Sequence, residues 1–174
     1  MPHLTENDIF QGCLKNDRVA QKALYDNFKT RMYTLAYRIT GNFDDANDVI
    51  QEGFIQVFRN LRTFRGGSKL STWIHTIIAR AAISKVKDRI YFEDIETSAG
   101  SNLIDWGTSI DIEYLEKAIA ALPEGYRTIF TLYEIEGFKH REIAEMVEIS
   151  ENTSKSQLFK AKKMLRQKLE EYSI

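Results

Sequence analysis

The sequence predicts an all-α protein: two small helical domains joined by a flexible acidic linker, the C-terminal one containing a helix-turn-helix. Three observations carry that expectation. The 174 residues include only two prolines while 43% are hydrophobic, and the apolar positions recur at three- and four-residue spacing rather than alternating. Between about residues 88 and 111 that spacing fades into small, polar and acidic residues, with Thr97-Ser98-Ala99-Gly100-Ser101-Asn102 at the centre, which is linker composition. Further on, two helical patterns meet at a tight turn near residues 148–150. The expected boundaries are 1–90, 91–112 and 113–174.

Each element follows from local signals. Thr5 with Asp8 three residues on resembles a capping arrangement for a first helix, in which Ile9, Cys13 and Leu14 share a face. Asp17 is suited to cap a second helix carrying Ala20, Leu24 and Phe28 inward. A third is expected over residues 30–39, with Met32, Leu35, Ala36 and Ile39 inward, before Gly41-Asn42 ends it. The fourth opens on Asp44, Asp45 and Asp48, anions that suit the positive end of a helix dipole. Its apolar stripe is Ile50, Phe54, Val57, Phe58 and Leu61, opposite Asp48, Gln51, Glu52 and Gln56. After the loop Arg65-Gly66-Gly67-Ser68-Lys69, a fifth turns Leu70, Ile74, Ile77, Ile78 and Ala81 inward, with Trp73 at the border. Beyond the linker, Tyr114, Leu115, Ala118, Ile119 and Leu122 form one face, and Pro123 stands where a new helix can begin. Ile129, Phe130, Leu132 and Tyr133 pack that helix, which Gly137 stops.

A net charge of −1 is uninformative until it is divided along the chain. Residues 59–89 hold eight Lys or Arg against one acid, a balance of +7. Residues 90–118 hold seven acids against Lys117, or −6, and residues 150–170 six bases against two acids, or +4. Two basic patches separated by an acidic stretch imply two nucleic-acid contacts with weak attraction to random DNA. A linker of about 24 residues reaches ~80 Å at most and ~25 Å as a relaxed coil, enough to span one to two turns of DNA at ~34 Å each. The single Cys13 has no disulfide partner and the N-terminus no signal-peptide pattern, and no run approaches the ~18 apolar residues of a membrane span. A cytoplasmic protein without membrane insertion is expected.

Two segments carry chemistry. Opening a duplex requires unpaired bases to be held, and aromatic stacking supplies ~1–3 kcal/mol per base while basic residues hold the backbone. Phe64 to Lys69 with Ser71, Thr72, Trp73, His75 and Arg80, following Arg59 and Arg62, offers those materials. The second segment, REIAEMVEIS followed by ENTSKSQLFKAKKML, places Ile143, Ala144 and Val147 on one packing face and Leu158, Ala161 and Leu165 on another. Ser150 is a ready N-cap, and Glu148 occupies the turn position where Gly is expected. Arg141, Ser150, Asn152, Thr153, Lys155, Ser156, Gln157, Phe159 and Lys160 are the candidate DNA-facing residues. Gln pairs with adenine edges, Lys with guanine or phosphate, and Phe with a thymine methyl. His3, His75 and His140 make no metal-spaced set, and no glycine loop precedes a Lys-Ser/Thr pair. Neither a cofactor nor enzymatic catalysis is expected.

In this order the two segments resemble the bacterial sigma factors of the extracytoplasmic-function (ECF) group. DDANDVIQEGFIQVFRNLRTFRGGSKLSTWIHTIIARAAI is similar to the group's second conserved region, and ALPEGYRTIFTLYEIEGFKHREIAEMVEISENTSKSQLFKAKKMLRQKL to its fourth. The resemblance implies a dissociable promoter-recognition subunit of RNA polymerase. Asp48, Gln51, Glu52 and Phe54 then correspond to the surface that grips the β′ subunit, and Tyr126, Ile129 and Phe130 lie near the β contact. The loop from Arg65 to Lys69 with Trp73 corresponds to the part that captures a base of the −10 element, and the helix after Ser150 to the reader of the −35 element. An anti-sigma factor is an implied partner. Ser154 stands where a branched apolar residue is usual, and Gln157 where Arg is frequent.

Two other readings remain open on sequence alone. A self-sufficient helix-turn-helix regulator binds its operator without polymerase. A protein-only adaptor keeps its activity after Lys155→Ala, Gln157→Ala and Lys160→Ala.

Overall fold

The computed structural model describes residues 4–90, 92 and 111–172. Its chain divides into two compact units, Met1–Lys85 and Val86–Ile174, and all regular structure among the described residues is helical. Most of the expected linker, including Trp106, Ile104 and Ile110, lies outside the described residues.

The first unit begins with α1 (Glu6–Leu14), capped reciprocally as its sequence predicts. Asp8 N–H donates to Thr5 Oγ1 (3.2 Å) and Thr5 N–H donates to the Asp8 carboxylate (3.0 Å). The Thr5 hydroxyl also donates to that carboxylate (2.6 Å), and this bond first, then the one from the Thr5 amide, holds the Asp8 carboxyl below the usual carboxylate range. Asp17 caps α2 (Arg18–Thr40), which runs unbroken through both of the segments expected to be separate helices. Neither Gly nor Pro interrupts residues 18–40, and the polar run around Lys29-Thr30-Arg31 is an exposed face, not a break. Gly41, at φ 78°, ends the helix in the left-handed region. Asn42 then caps α3 (Phe43–Asn60) by accepting from the Asp45 amide at 2.8 Å.

A single 3₁₀ turn, Leu61–Thr63, closes α3, and α4 (Leu70–Val86) follows the glycine loop. Gly53 lets α3 approach α4 closely, since a Cβ there would collide with Ile78 Cδ1. The buried arc of α4 is Leu70, Ile74, His75, Ile78, Ala79, Ala82, Ile83 and Val86, while Ile77 and Ala81 are only partly covered. That arc is rotated from the expected one. Nearly every face of α4 offers an apolar side chain, so spacing alone does not fix its rotation.

In the second unit Asp111 caps α5 (Ile112–Ala120), and Pro123 precedes α6 (Glu124–Phe130). The chain then makes a π-helical turn, Thr131–Ile135, before Gly137 at φ 76° breaks the helix. Helices α7 (His140–Val147) and α8 (Glu151–Tyr172) form the expected helix-turn-helix. Glu148 does adopt the left-handed conformation, at φ 60° and ψ 47°, where a non-glycine residue costs about 1 kcal/mol. Buried Leu122, Ile129, Phe130, Leu132, Ile143, Leu158, Ala161 and Leu165 make the core.

Candidate nucleic-acid interface

On the first unit the loop after α3 and the start of α4 assemble an aromatic edge flanked by exposed cations. Trp73 is half-buried, not a core residue, and leans on Phe64 with ring centroids 5.6 Å apart. Phe64 in turn meets Phe10 of α1 edge-on at 5.7 Å, so the indole is backed by two rings. Arg59, Arg62, Arg65, Ser68, Lys69 and Thr72 are exposed, and Ser71 is half-buried. Arg80, also exposed, follows Trp73 by seven residues and so shares its helix face two turns on. Gly66 sits at φ 76°, and a Cβ on Gly66 or Gly67 would meet nothing within 4 Å. The loop therefore stands in open space, and backbone conformation demands glycine only at position 66. His75 is a correction: at 9% exposure it points away from Trp73 into the unit, because two residues along a helix turn a side chain by about 200°.

On α3 the acidic face is presented as expected. Asp48, Gln51 and Glu52 are exposed beside a shallow groove of about 580 Å³ whose other wall includes Ser84 and Lys85 of α4. Lys85 Nζ donates to Asp48 at 3.0 Å and lies 3.8 Å from Asp45. Phe54 is not on this surface. Its ring is 3% exposed and packs edge-to-face on Tyr25 at 4.9 Å. Val49, Ala81 and Ile55 are the apolar residues lining the groove, and of these Ile55 is half exposed. The spacing Asp48, Glu52, Ile55 is the helical repeat that would have found it.

On the second unit Ser150 Oγ accepts from the Thr153 amide at 2.9 Å and caps α8. Arg141, Ser150, Asn152 and Lys155 are exposed, whereas Thr153, Phe159 and Lys160 are half-buried. Arg141 lies 3.7 Å from Glu145, and Lys155 3.6 Å from Glu151. Ser156 and Gln157 are corrections. Both are buried, at 4% and 2% exposure. Gln157 flanks the inward stripe Ser154–Leu158–Ala161, and the Ser156 hydroxyl turns back to donate to the Thr153 carbonyl (3.0 Å). The outward stripe, at helical spacing, is Asn152, Lys155, Phe159, Lys163 and Arg166, the last two exposed and not anticipated. On α6, Ile129 and Phe130 are core residues at 0% and 5% exposure, and of the three candidates there Tyr126 alone is half exposed.

Comparison with known families matches both segments. The model for sigma-70 region 2 matches residues 24–89, and that for sigma-70 region 4 matches residues 112–165. The chain belongs to the ECF group of sigma-70 factors. The ECF RNA polymerase sigma factor SigW of Bacillus subtilis is 28% identical, over 89% of this chain and 91% of that protein. An ECF RNA polymerase sigma-E factor of Haemophilus influenzae is also 28% identical, with 96% of each chain covered. Among solved structures the fold is similar to the sigma factor RpoE of Bartonella quintana, determined in complex with the anti-sigma factor NepR. The TM-score is 0.58 at 22% identity, over 86% of this chain and 96% of that one. This sigma factor is a promoter-recognising transcription initiation factor that works with core RNA polymerase. No helix among its described residues is long and apolar enough to cross a membrane.

Proposed function

We propose that the two units divide promoter recognition, the first holding the opened −10 strand and the second reading the −35 element. One observation carries this. A half-exposed Trp73, backed by Phe64, stands beside an open Gly66–Gly67 loop and a row of exposed cations in the unit that matches region 2. A π-face with cations around it holds an unpaired base of any identity. On α8 the exposed Asn152 and Lys155, with Phe159 and Lys160, meet the major groove, and Arg141 with Ser150 meets the flanking phosphates.

The groove with Asp48, Gln51, Glu52 and Ile55 binds the β′ subunit, and Tyr126 marks the contact with β. The chain carries out no chemistry of its own and works in the cytoplasm. An anti-sigma factor is a further partner, as for RpoE of Bartonella quintana, whose structure holds the anti-sigma factor NepR.

The test is transcription by core RNA polymerase with and without this chain on a promoter library. Starts at defined sites sharing two upstream elements are expected only with the chain present. Failure to associate with core enzyme, or starts without shared elements, overturns the reading.

A further inference from the structure

Where α7 and α8 cross, two polar side chains and a ring meet in a way that reading DNA does not require. His140 opens α7, Ser154 lies in the first turn of α8, and Tyr133 sits in the π turn before them. His140 Nδ1 is 2.9 Å from Ser154 Oγ. The imidazole stacks on Tyr133 with centroids 4.3 Å and planes 19° apart. Ser154 is fully buried, while its neighbour Lys155 is exposed on the DNA-facing side.

A buried hydroxyl without a partner costs about 1–3 kcal/mol, so Ser154 is tied to His140. An aliphatic side chain in its place would pack without preferring a direction. A hydrogen bond is directional, and this one fixes the rotation of α8 relative to α7. The ring cannot swing to follow Ser154 because Tyr133 covers its face. The π turn, which adds a residue to one helical turn, aims Tyr133 there. Asn152 and Lys155 leave α8 from the same turn as Ser154, so where they point depends on the pin.

We propose that His140, acting through Ser154, positions the reading helix and makes −35 selectivity depend on pH, with the neutral imidazole the competent form. Either neutral tautomer satisfies Ser154. The imidazolium can only donate, and it places a cation in a half-buried site near Lys155 and Lys162. The charged groups facing the ring are Glu134 from the π turn and Glu151, Lys155 and Lys162 from α8. Lys162 is ion-paired with Glu134, and Lys155 is near Glu151. Beside it, the Lys139 amide donates to Glu142 (2.7 Å) and Arg141 faces Glu145.

Burial first, then Lys155, lowers the His140 pKa from its ordinary value, with Glu151 and Glu134 opposing. Because the folded value is depressed, the stability held by the neutral ring is complete above the unfolded pKa of about 6.5. It is lost as pH falls from there through the folded value.

The proposal rests on the −35 reading above, and the experiment separates the two. Holoenzyme containing the full chain transcribes a library-selected promoter and the same promoter with its −35 element scrambled, between pH 5.5 and 8. The ratio of the two cancels effects of pH on the polymerase itself. For wild type the ratio should fall several-fold as pH drops through the folded His140 value, which lies below the ordinary 6.5. His140→Asn keeps a hydrogen-bonding side chain but does not titrate, and its ratio should be flat with pH. Ser154→Ala removes the hydroxyl with little change in volume and should lower the ratio at pH 7.5. It keeps the test decisive if His140→Asn folds poorly. A wild-type ratio above one whose pH profile is flat, or is matched by His140→Asn, overturns the proposal alone. A wild-type ratio of one at pH 7.5 overturns the −35 reading and the proposal with it.

Discussion

The two units bury different kinds of side chain. Among the described residues of the first, the buried polar groups are Thr40 and His75; in the second they are Arg127, Thr128, Thr131, Ser154, Ser156 and Gln157. Apolar packing in the first unit supports a loop and an aromatic edge that stand outside the core, so the candidate residues there can be exchanged with limited damage beneath them. The second builds directional hydrogen bonds into its interior and sets the attitude of α8 with them. Function and stability are therefore expected to separate in the first unit and to move together in the second at the hydrogen bond that orients α8.

The strongest break of that contrast is at Trp73. Trp73→Ala should reduce initiation on duplex promoters by roughly fivefold to a hundredfold, the equivalent of ~1–3 kcal/mol of stacking on one base. On templates already mismatched around the start site the loss should be much smaller. Equal losses on both templates would place Trp73 in the scaffold and remove the strand-opening role.

Next in size is Arg127. Its guanidinium is 7% exposed and donates to the carbonyl oxygens of Ala120 and Leu122, each at 3.3 Å, with Glu124 at 3.8 Å. It ties off the C-terminal end of α5, where carbonyls lack helical partners. Arg127→Met should destabilise the second unit by about 1.5–3 kcal/mol, the usual worth of hydrogen bonds to a charged group. Amide exchange should accelerate over residues 111–172 and stay unchanged over residues 4–85. Acceleration throughout would show that the units do not fold independently and would dissolve the comparison.

A third test lies within α8, between an exposed and a buried polar residue. Lys155→Ala should weaken promoter binding by the holoenzyme and lower the slope of log affinity against log salt by about 1, while the fold keeps its stability. Gln157→Ala should instead lower the unfolding midpoint and leave that slope alone. A slope changed by Gln157→Ala would return Gln157 to the DNA-facing surface.

Much of this was legible in the sequence where local chemistry decides the outcome. The caps at Thr5, Asp17 and Ser150, the glycine stops at Gly41 and Gly137, and the left-handed Glu148 follow from residues within a few positions of one another. Rotation of a helix about its axis is different, because it depends on what lies opposite. The spacing around Ile50 turns Phe54 inward, whereas its place in a known family's motif suggests a surface residue, and the exposed apolar residue beside it is Ile55. Ile129 and Phe130 were drawn outward by the same logic. Ser156 and Gln157 were misplaced for a second reason: polar side chains look like surface until their interior partners are visible. The π turn leaves no mark in apolar spacing at all.

Thr131, inside that π turn, supports the smallest prediction and the sharpest one. Its side chain is fully buried, and its Oγ1 has no hydrogen-bond partner among the described residues. If the polar interior of the second unit serves to orient α8, a hydroxyl that binds nothing is a cost without a return. Val has nearly the shape of Thr and a similar helix propensity, so Thr131→Val removes the desolvated hydroxyl without opening a cavity. The unit should gain up to about 1 kcal/mol, a rise of roughly 4–8 °C in Tm for a domain of this size. Promoter selectivity should not change, because neither His140 nor Ser154 is hydrogen-bonded to that hydroxyl. A fall in Tm would mean that Thr131 is bonded in solution, and that the polar interior extends from the crossing of α7 and α8 into the π turn itself.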